Sequence, residues 1–270
     1  MIPKLIHYCW FGGAPLGEKE LACIDSWKRF CPNYEIRRWD ESNYDIHKNK
    51  YMSDAYDNGK WAFVSDYARI DVVNQYGGLY FDTDVELIRS PDELLDCGLF
   101  CGWENRRGAR ENGLEYDNSV NFGLGFGAVA QHPILGEVLD LYEGLKFVNA
   151  DGTLNLLACP VYQTEVLRRH GLNDLAPVRQ SFEGVEVYPE DWFSPQSQLT
   201  GETVLTDNTV SIHHFSMTWV DPARRRELDF EWKLISKFGY ARGHGFARLL
   251  TLPARAVRKM RGGIGNGRYE

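Results

Sequence analysis

The stretch GGLYFDTDVEL, residues 77–87, places two carboxylates, Asp82 and Asp84, two positions apart after an apolar run. Side chains at positions i and i+2 of a strand point to the same face. Two carboxylates held that close repel each other, and the pKa of one rises unless a cation joins them. Hard divalent cations bind carboxylate oxygens and often share their coordination with substrate phosphates. The pair therefore predicts a divalent-cation site next to a phosphorylated ligand.

Two further groups of residues could complete such a site. Asp66 and Arg69 are three positions apart, which puts them on one face of a helix. They could form only a local ion pair worth a few tenths of a kcal/mol, or they could bind sugar hydroxyls and offset phosphate charge. His213 and His214 end an alternating run, so either could be a third ligand of the cation.

The elements that must position these residues predict an α/β fold. KLIHYCWF (4–11) and YEIRRWD (34–40) are typical of strands, and the segment between them has apolar residues at helical spacing. This β-α-β start is the pattern of a parallel α/β sheet. In open α/β sheets, ligands bind at the carboxyl ends of the strands.

The candidate residues themselves fall on a second helix and strand. Residues 60–78 repeat apolar positions at three and four and end in Gly77-Gly78, which predicts a helix carrying Asp66 and Arg69. LYFDTDVELI (79–88) predicts one strand whose end carries the carboxylate pair. Residues 99–127 are rich in Gly and Asn, so we expect a long, partly irregular segment there.

Composition excludes several classes. The 270 residues are 43% hydrophobic and 25% charged, as in an ordinary globular protein, and the net charge of −8 argues against a nucleic-acid binder. The six cysteines form no CxxC pair, which favours reduced thiols in a reducing compartment. With no signal-peptide pattern and no apolar run of about 18 residues, a cytoplasmic protein is expected.

The last thirty residues differ from the rest of the chain. Residues 241–270 carry seven Arg and Lys against one acid, a net charge of +6, which leaves −14 for residues 1–240. FARLLTLPARAVRKM (246–260) interleaves apolar and basic residues. We therefore expect a domain over 1–240 and a basic amphipathic tail over 241–270. The tail could lie on an anionic membrane surface at the inner face of the cell membrane, or it could be solvated or disordered.

Three segments together resemble glycosyltransferase family 32: IPKLIHYCWFGG, WAFVSDYARIDVVNQYGGLYFDTDVEL and IHHFSMTW. This family comprises the DxD sugar transferases of bacterial capsule, exopolysaccharide and O-antigen synthesis. It is related to yeast initiating mannosyltransferases and the large clostridial glucosylating toxins. The resemblance is strong over residues 2–95, weaker over 117–165 and local again at 210–219.

The resemblance implies a GT-A fold, with a Rossmann-like mixed sheet and flanking helices. It also implies transfer of a hexose from a nucleotide diphosphate sugar, UDP rather than GDP, with retention of anomeric configuration. The cofactor would be Mn²⁺ or Mg²⁺. The acceptor would be an oligosaccharide, which could be lipid-linked, in the synthesis of a surface polysaccharide; no nucleic-acid partner is implied.

Carried over by position, the resemblance assigns catalytic, donor-binding and metal-binding roles. The catalytic residues would be Asp66, which binds donor-sugar hydroxyls, and Arg69, near the reacting bond. The donor-binding residues would be Trp10 at the nucleobase, Tyr80, Asp82, Asn121, Ser216 and Trp219. The metal ligands would be Asp82, Asp84 and His214, with His213 almost equally well supported. The chain departs from the family at Met217-Thr218-Trp219, where Ser and Trp are often adjacent, and at Cys159, where Gly is common.

Two other functions fit parts of this pattern. A phosphatase of the haloacid dehalogenase type also has a DxD after a strand, but its motif continues to Thr or Val where this chain has Glu86. A non-catalytic nucleotide-sugar-binding module is the second alternative. The presence of Asp66, Arg69 and the DxD pair argues against such a non-catalytic module.

Overall fold

The structure, a computed structural model, describes residues 1–216 and 222–260. Within these ranges the strands are β1 Leu5–Cys9, β2 Glu35–Trp39, β3 Gly78–Tyr80, β4 Val85–Leu87, β5 Leu99–Gly102, β6 Phe126–Ala128, β7 Gln180–Phe182, β8 Val185–Tyr188 and β9 Ser211–His213. The helices there are α1 Glu18–Phe30, α2 Lys50–Asp57, α3 Trp61–Tyr76, α4 Arg107–Glu111, α5 Pro133–Gly144, α6 Cys159–Arg169, α7 Glu190–Phe193, α8 Pro222–Phe238 and α9 Tyr240–Met260.

Seven strands form one mixed sheet in the order β2-β1-β3-β6-β5-β8-β7. Strand β1 is parallel to β2 and β3, which confirms the predicted β-α-β start. Strand β6 runs antiparallel to both β3 and β5, and β5 is parallel to β8. The carboxyl ends of β1, β2, β3, β5 and β8 therefore meet at one side of the sheet, here called the carboxyl edge.

Helices cover both faces of this sheet. Neighbouring residues of a strand point to opposite faces, so one strand can contribute side chains to a buried cluster on each face. Leu99 and Cys101 of β5 pack in one buried cluster, which includes most of α3, whereas Phe100 packs in the other. Ile24 and Trp27 of α1 belong to the second cluster. The expected α/β class, a Rossmann-like mixed sheet with flanking helices as in a GT-A fold, is confirmed.

The prediction of one continuous strand over residues 79–88 is wrong. Strand β3 belongs to the main sheet, but β4 pairs with β9 in a separate two-stranded antiparallel sheet. The chain must turn between them, and the Val85 N–H donates to the Asp82 carbonyl oxygen (3.0 Å). The Trp27 indole N–H, which donates to the Val85 carbonyl oxygen (2.7 Å), holds β4 against α1. Asp82 and Asp84 therefore lie in a turn and not on one face of a strand.

The segment over residues 99–127 is partly irregular, as expected, because only α4 and a short 3₁₀ turn over residues 122–124 lie between β5 and β6. One of its glycines instead reflects close packing. A Cβ at Gly127 of β6 would lie 2.5 Å from the Phe100 ring. Glycine at this position therefore lets an aromatic ring of the neighbouring strand lie against the backbone, and it does not mark an irregular loop.

Helices α8 and α9 form a hairpin at the C-terminal end of the described chain. Gly239, with a φ of 77°, forms the turn between them. The expected boundary after residue 240 falls one residue inside α9, and residues 261–270 of the predicted tail lie outside the described residues. None of the helices that the structure describes is long and apolar enough to cross a membrane.

We predict that Gly78→Ala destabilises the protein far more than Gly152→Ala. Both glycines have positive φ, 110° and 81°, but a Cβ at Gly78 would lie 2.5 Å from the Leu5 carbonyl oxygen, whereas one at Gly152 meets open space. The left-handed backbone costs about 1–2 kcal/mol in each variant, and overpacking adds about 1–3 kcal/mol at Gly78 alone. Urea unfolding measures both losses, and equal losses would contradict the β1–β3 packing.

Candidate active site

Arg69 is the buried cation that joins the two acidic motifs. Its Nη2 atom lies 3.2 Å from Asp66 Oδ1 and 3.0 Å from Asp82 Oδ1. The guanidinium also lies over the Tyr80 ring, 5.2 Å from its centroid. Asp66 and Arg69 are both buried, so they are not the exposed helical ion pair considered as an alternative. The structure thus brings four of the sequence-predicted residues together.

The pKa directions follow from this burial and pairing. Burial alone would raise the pKa of Asp82, but Arg69, together with His213 and Tyr80, outweighs it and lowers that pKa. Burial raises the pKa of Asp66 by more than Arg69 lowers it. Burial acts to lower the pKa of Arg69, but the two carboxylates raise it well above its usual value. Arg69 therefore stays charged, and Asp82 is the carboxylate that it holds ionised.

Hydrogen bonds leave one oxygen of each DxD carboxylate turned toward His213. Asp82 Oδ1 accepts from Arg69 and from the Tyr80 hydroxyl (3.1 Å), and Asp84 Oδ2 accepts from the Ser216 N–H (2.7 Å). His213 Nε2 lies 3.9 Å from Asp82 Oδ2 and 3.3 Å from Asp84 Oδ1. Asp82, Asp84 and His213 can each offer one ligand atom, and these atoms lie within 4.8 Å of one another.

The geometry selects His213 over His214, and the preference for His214 from the sequence is corrected. In the β4–β9 pair, His213 is opposite Val85, directly after Asp84. Because neighbouring strand residues point to opposite faces, His214 turns away, and its Nε2 lies 2.9 Å from Glu86 Oε2. Only one of two adjacent histidines can therefore face the carboxylates.

This donor set fits a divalent cation. Two carboxylate oxygens and one imidazole nitrogen suit Mn²⁺ or Mg²⁺. Burial would lower the pKa of His213, but Asp84 and Asp82 raise it, so positive charge is favoured among these atoms. His213 Nδ1 accepts from the Phe215 N–H (3.2 Å), which puts the proton of a neutral ring on Nε2. For Nε2 to bind a cation, that proton must move to Nδ1 and the Phe215 contact must open.

Gly123 marks the point where three site residues converge. A Cβ at this position would lie 2.5 Å from Asp82 Oδ2, 3.0 Å from Asn121 Oδ1 and 3.1 Å from Arg69 Nη1. The Asn121 side chain accepts from the Gly123 N–H (2.8 Å) and so begins the short 3₁₀ turn over residues 122–124. Asn121, predicted to bind the donor, therefore lies beside Asp82 and Arg69.

Of the other predicted donor residues, the structure describes Trp10 and Ser216. Trp10 follows β1, the strand next to β3, and its indole N–H donates to the Ala14 carbonyl oxygen (2.6 Å). Ser216 reaches the site through its backbone N–H. Trp219 lies outside the described residues.

One residue in contact with the site was not recognised as such from the sequence. Arg69 Nη1 donates to Cys159 Sγ (3.6 Å), and the thiol also hydrogen-bonds Asp66. Cys159 was noted only as a departure from the family that the chain resembles, because the contact joins residues 90 positions apart.

Residues 17–99 match the family model described as the glycosyltransferase sugar-binding region containing the DXD motif. The matched range includes Asp66, Arg69, Asp82 and Asp84. The resemblance to DxD glycosyltransferases is thereby confirmed for this region. No curated protein matches the chain.

Several solved structures are similar to the chain. The PaToxG glycosyltransferase is 20% identical, with 62% of this chain and 69% of that chain covered, at a TM-score of 0.47. A glycosyltransferase involved in glycosylation of the major capsid of PBCV-1 is 10% identical, with 84% and 100% covered, at 0.47. The galactosyltransferase LgtC, in complex with donor and acceptor sugar analogs, is 13% identical, with 83% and 94% covered, at 0.38.

We predict that Arg69→Met lowers the free energy of unfolding by about 3–5 kcal/mol, because it leaves the buried Asp66 and the partly buried Asp82 without their cation. The matched control is Arg168→Met, which removes an exposed pair with Asp174 and should cost about 1 kcal/mol or less. Urea unfolding compares the two variants. If Arg69→Met is as stable as the control, Arg69 is not the cation on which these carboxylates depend.

Proposed function

We propose that this chain, which carries the sugar-binding region of the DXD glycosyltransferases, is a metal-dependent, retaining hexosyltransferase. Its donor would be a nucleotide diphosphate sugar, with UDP favoured by the bacterial relatives that the sequence resembles. Its acceptor would be a growing glycan in surface-polysaccharide synthesis. The observation that carries the proposal is the convergence of Asp66, Arg69, Asp82, Asp84 and His213 at the carboxyl edge.

The charges of the cluster support a diphosphate as the ligand group. Asp66 and Asp82 together balance the positive charge of Arg69. The remaining carboxylate charge of the DxD pair, together with His213, can still hold a cation. When bound there, Mn²⁺ or Mg²⁺ would offset the charge that builds on the diphosphate leaving group. Preplaced charges of this kind are usually the largest single contribution to catalysis.

The donor sugar would lie against Asp66 and Asn121. Asp66 is buried beside Arg69, and an ionised or neutral carboxyl group can accept hydrogen bonds from sugar hydroxyls. A Cβ at Gly123 would lie 3.0 Å from Asn121 Oδ1 and 2.5 Å from Asp82 Oδ2. Glycine at this position therefore lets the backbone lie directly against these two side chains without displacing them.

We propose that retention proceeds without a covalent sugar–enzyme intermediate, because each carboxylate of the site already has a hydrogen-bonding or charged partner. Asp66 and Asp82 bind Arg69, and Asp84 accepts from the Ser216 N–H. In a front-face reaction, the acceptor oxygen bonds to the anomeric carbon as the bond from that carbon to the phosphate oxygen breaks. The departing phosphate oxygen takes the proton of the acceptor hydroxyl, so no enzyme base is required.

A screen of nucleotide sugars tests the proposal as a whole. We expect slow hydrolysis of one UDP-sugar in the presence of Mn²⁺, and its loss in EDTA or in Asp84→Asn. Activity that survives both changes would contradict a cation held by the DxD pair. Release of phosphate from phosphate monoesters without any nucleotide sugar would instead identify a phosphatase.

We predict that His213→Ala and His214→Ala differ in cation affinity. His213 faces the DxD carboxylates, and loss of its nitrogen should weaken Mn²⁺ binding by about 10- to 100-fold, the range seen when supporting groups of a metal site are removed. His214 faces Glu86, so its loss should change Mn²⁺ affinity little. Titration calorimetry with Mn²⁺ compares the two; equal losses, or a larger loss for His214→Ala, would overturn the assignment.

A further inference from the structure

We propose that the α8–α9 hairpin docks on an anionic lipid surface and holds the carboxyl edge of the sheet close to that surface. Five apolar side chains, here called the outer face, carry the docking. They are Phe238, Phe246, Leu249, Leu250 and Leu252.

The outer face is exposed although the hairpin is well packed. Leu249, Leu250 and Leu252 are 65%, 62% and 56% exposed, and the rings of Phe238 and Phe246 contact each other edge to face with centroids 5.4 Å apart. Contiguous exposed apolar side chains of this size usually mark an interaction surface.

The opposite side of α9 is the side that packs on α8. A Cβ at Gly243 would lie 2.5 Å from the Ile235 backbone, so the two helices are in backbone contact there. Ile235 and Ala247 are buried between the helices, and His244 pairs with Glu231. The packing of the two helices therefore uses the outer face only at the Phe238–Phe246 contact, and its three leucines remain available for a partner.

Charge identifies an anionic lipid surface as that partner. Residues 222–260 of the hairpin contain ten Lys and Arg against three Asp and Glu, a net charge of +7, so the rest of a chain of net charge −8 carries −15. Near an anionic membrane each basic residue is attracted by the negative surface potential, while apolar side chains enter the interface. The acidic body is repelled by the same surface, so the hairpin side must face it.

The same charges argue against other occupants of the outer face. Two copies of this chain that met through their hairpins would bring together two elements of net charge +7, which opposes association. A nucleic acid would leave the exposed leucines without apolar contact. A lipid surface satisfies both the charge and the apolar side chains.

The hairpin is attached to the carboxyl edge through a short series of hydrogen bonds. The Trp232 indole N–H of α8 donates to the Gln198 carbonyl oxygen (2.8 Å), and the Gln198 side chain donates to Glu104 Oε1 (2.5 Å). Glu104 follows β5 at the carboxyl edge and is buried, and its other oxygen accepts from Ser119 and Arg106. Asn121 of the candidate site lies two residues after Ser119. A hairpin held on a membrane therefore also holds this edge near it.

This placement would give the site access to an acceptor whose lipid part is embedded in the membrane. That consequence rests on the proposed function, whereas the docking itself does not. The chemistry of the acceptor would then be a glycan whose lipid anchor brings it to the same surface as the hairpin.

Co-sedimentation with vesicles tests the docking on the full chain. We expect the chain to bind vesicles of phosphatidylcholine with phosphatidylglycerol and not phosphatidylcholine alone, with weaker binding as salt rises. Leu249→Gln with Leu250→Gln should reduce binding at least about tenfold, because two exposed leucines no longer enter the interface. The matched control is Leu175→Gln with Leu205→Gln, two exposed leucines elsewhere on the surface, which should bind as the unmodified chain does.

Arg242→Gln with Arg248→Gln should weaken binding to the anionic vesicles and reduce its salt dependence. Equal binding to both vesicle types, or equal losses in the Leu249/Leu250 and Leu175/Leu205 variants, would overturn the proposal. So would a dimer that forms without vesicle binding and dissociates in the Leu249/Leu250 variant. Nucleotide-sugar hydrolysis without vesicles separates the two proposals, because it should be unchanged in all three double variants.

Discussion

The candidate site depends on one shared positive charge. Arg69 is buried between Asp66, which precedes it by one helical turn, and Asp82, which arrives from the turn after β3. Without the guanidinium, two carboxylates would lie together in a region of low dielectric, where unpaired charge is costly. Arg69 Nη2 donates to Asp82 Oδ1 at 3.0 Å and to Oδ2 at 3.5 Å, and Oδ2 is the oxygen of Asp82 that faces His213. The pairing thus holds the helix, the strand and the turn together and also decides which atoms face the candidate cation.

The break between β3 and β4 is the second constraint. A continuous strand would have kept Asp82 and Asp84 in the main sheet, with neighbouring strands on both sides. The chain instead leaves that sheet, and β4 pairs with β9, whose register places His213 opposite Val85. A small sheet of two three-residue strands therefore brings a histidine from more than 120 residues away to the carboxylate pair. On the opposite face of this small sheet, His214 pairs with Glu86.

Charge is distributed unevenly over the molecule, and this separates two regions. The acidic body contains the site, in which Arg69 pairs with two carboxylates and the donor set of Asp82, Asp84 and His213 fits a divalent cation. The hairpin is basic and presents exposed leucines on a helix that is packed along its other side. Gln198 and Glu104 connect the two regions by direct hydrogen bonds. A continuous series of hydrogen bonds thus connects the hairpin with the carboxyl edge.

Local spacing along the chain determined much of this protein. The i, i+3 pair of Asp66 and Arg69, the β-α-β start and the DxD motif were all evident in the sequence, because helical and strand periodicity depend only on neighbouring residues. Only the tertiary structure decided which histidine faces the carboxylates, that Cys159 contacts Asp66 and Arg69, and that the apparent strand over 79–88 is broken. Each of these depends on contacts between distant segments, and a register shift of one residue would have exchanged His213 for His214.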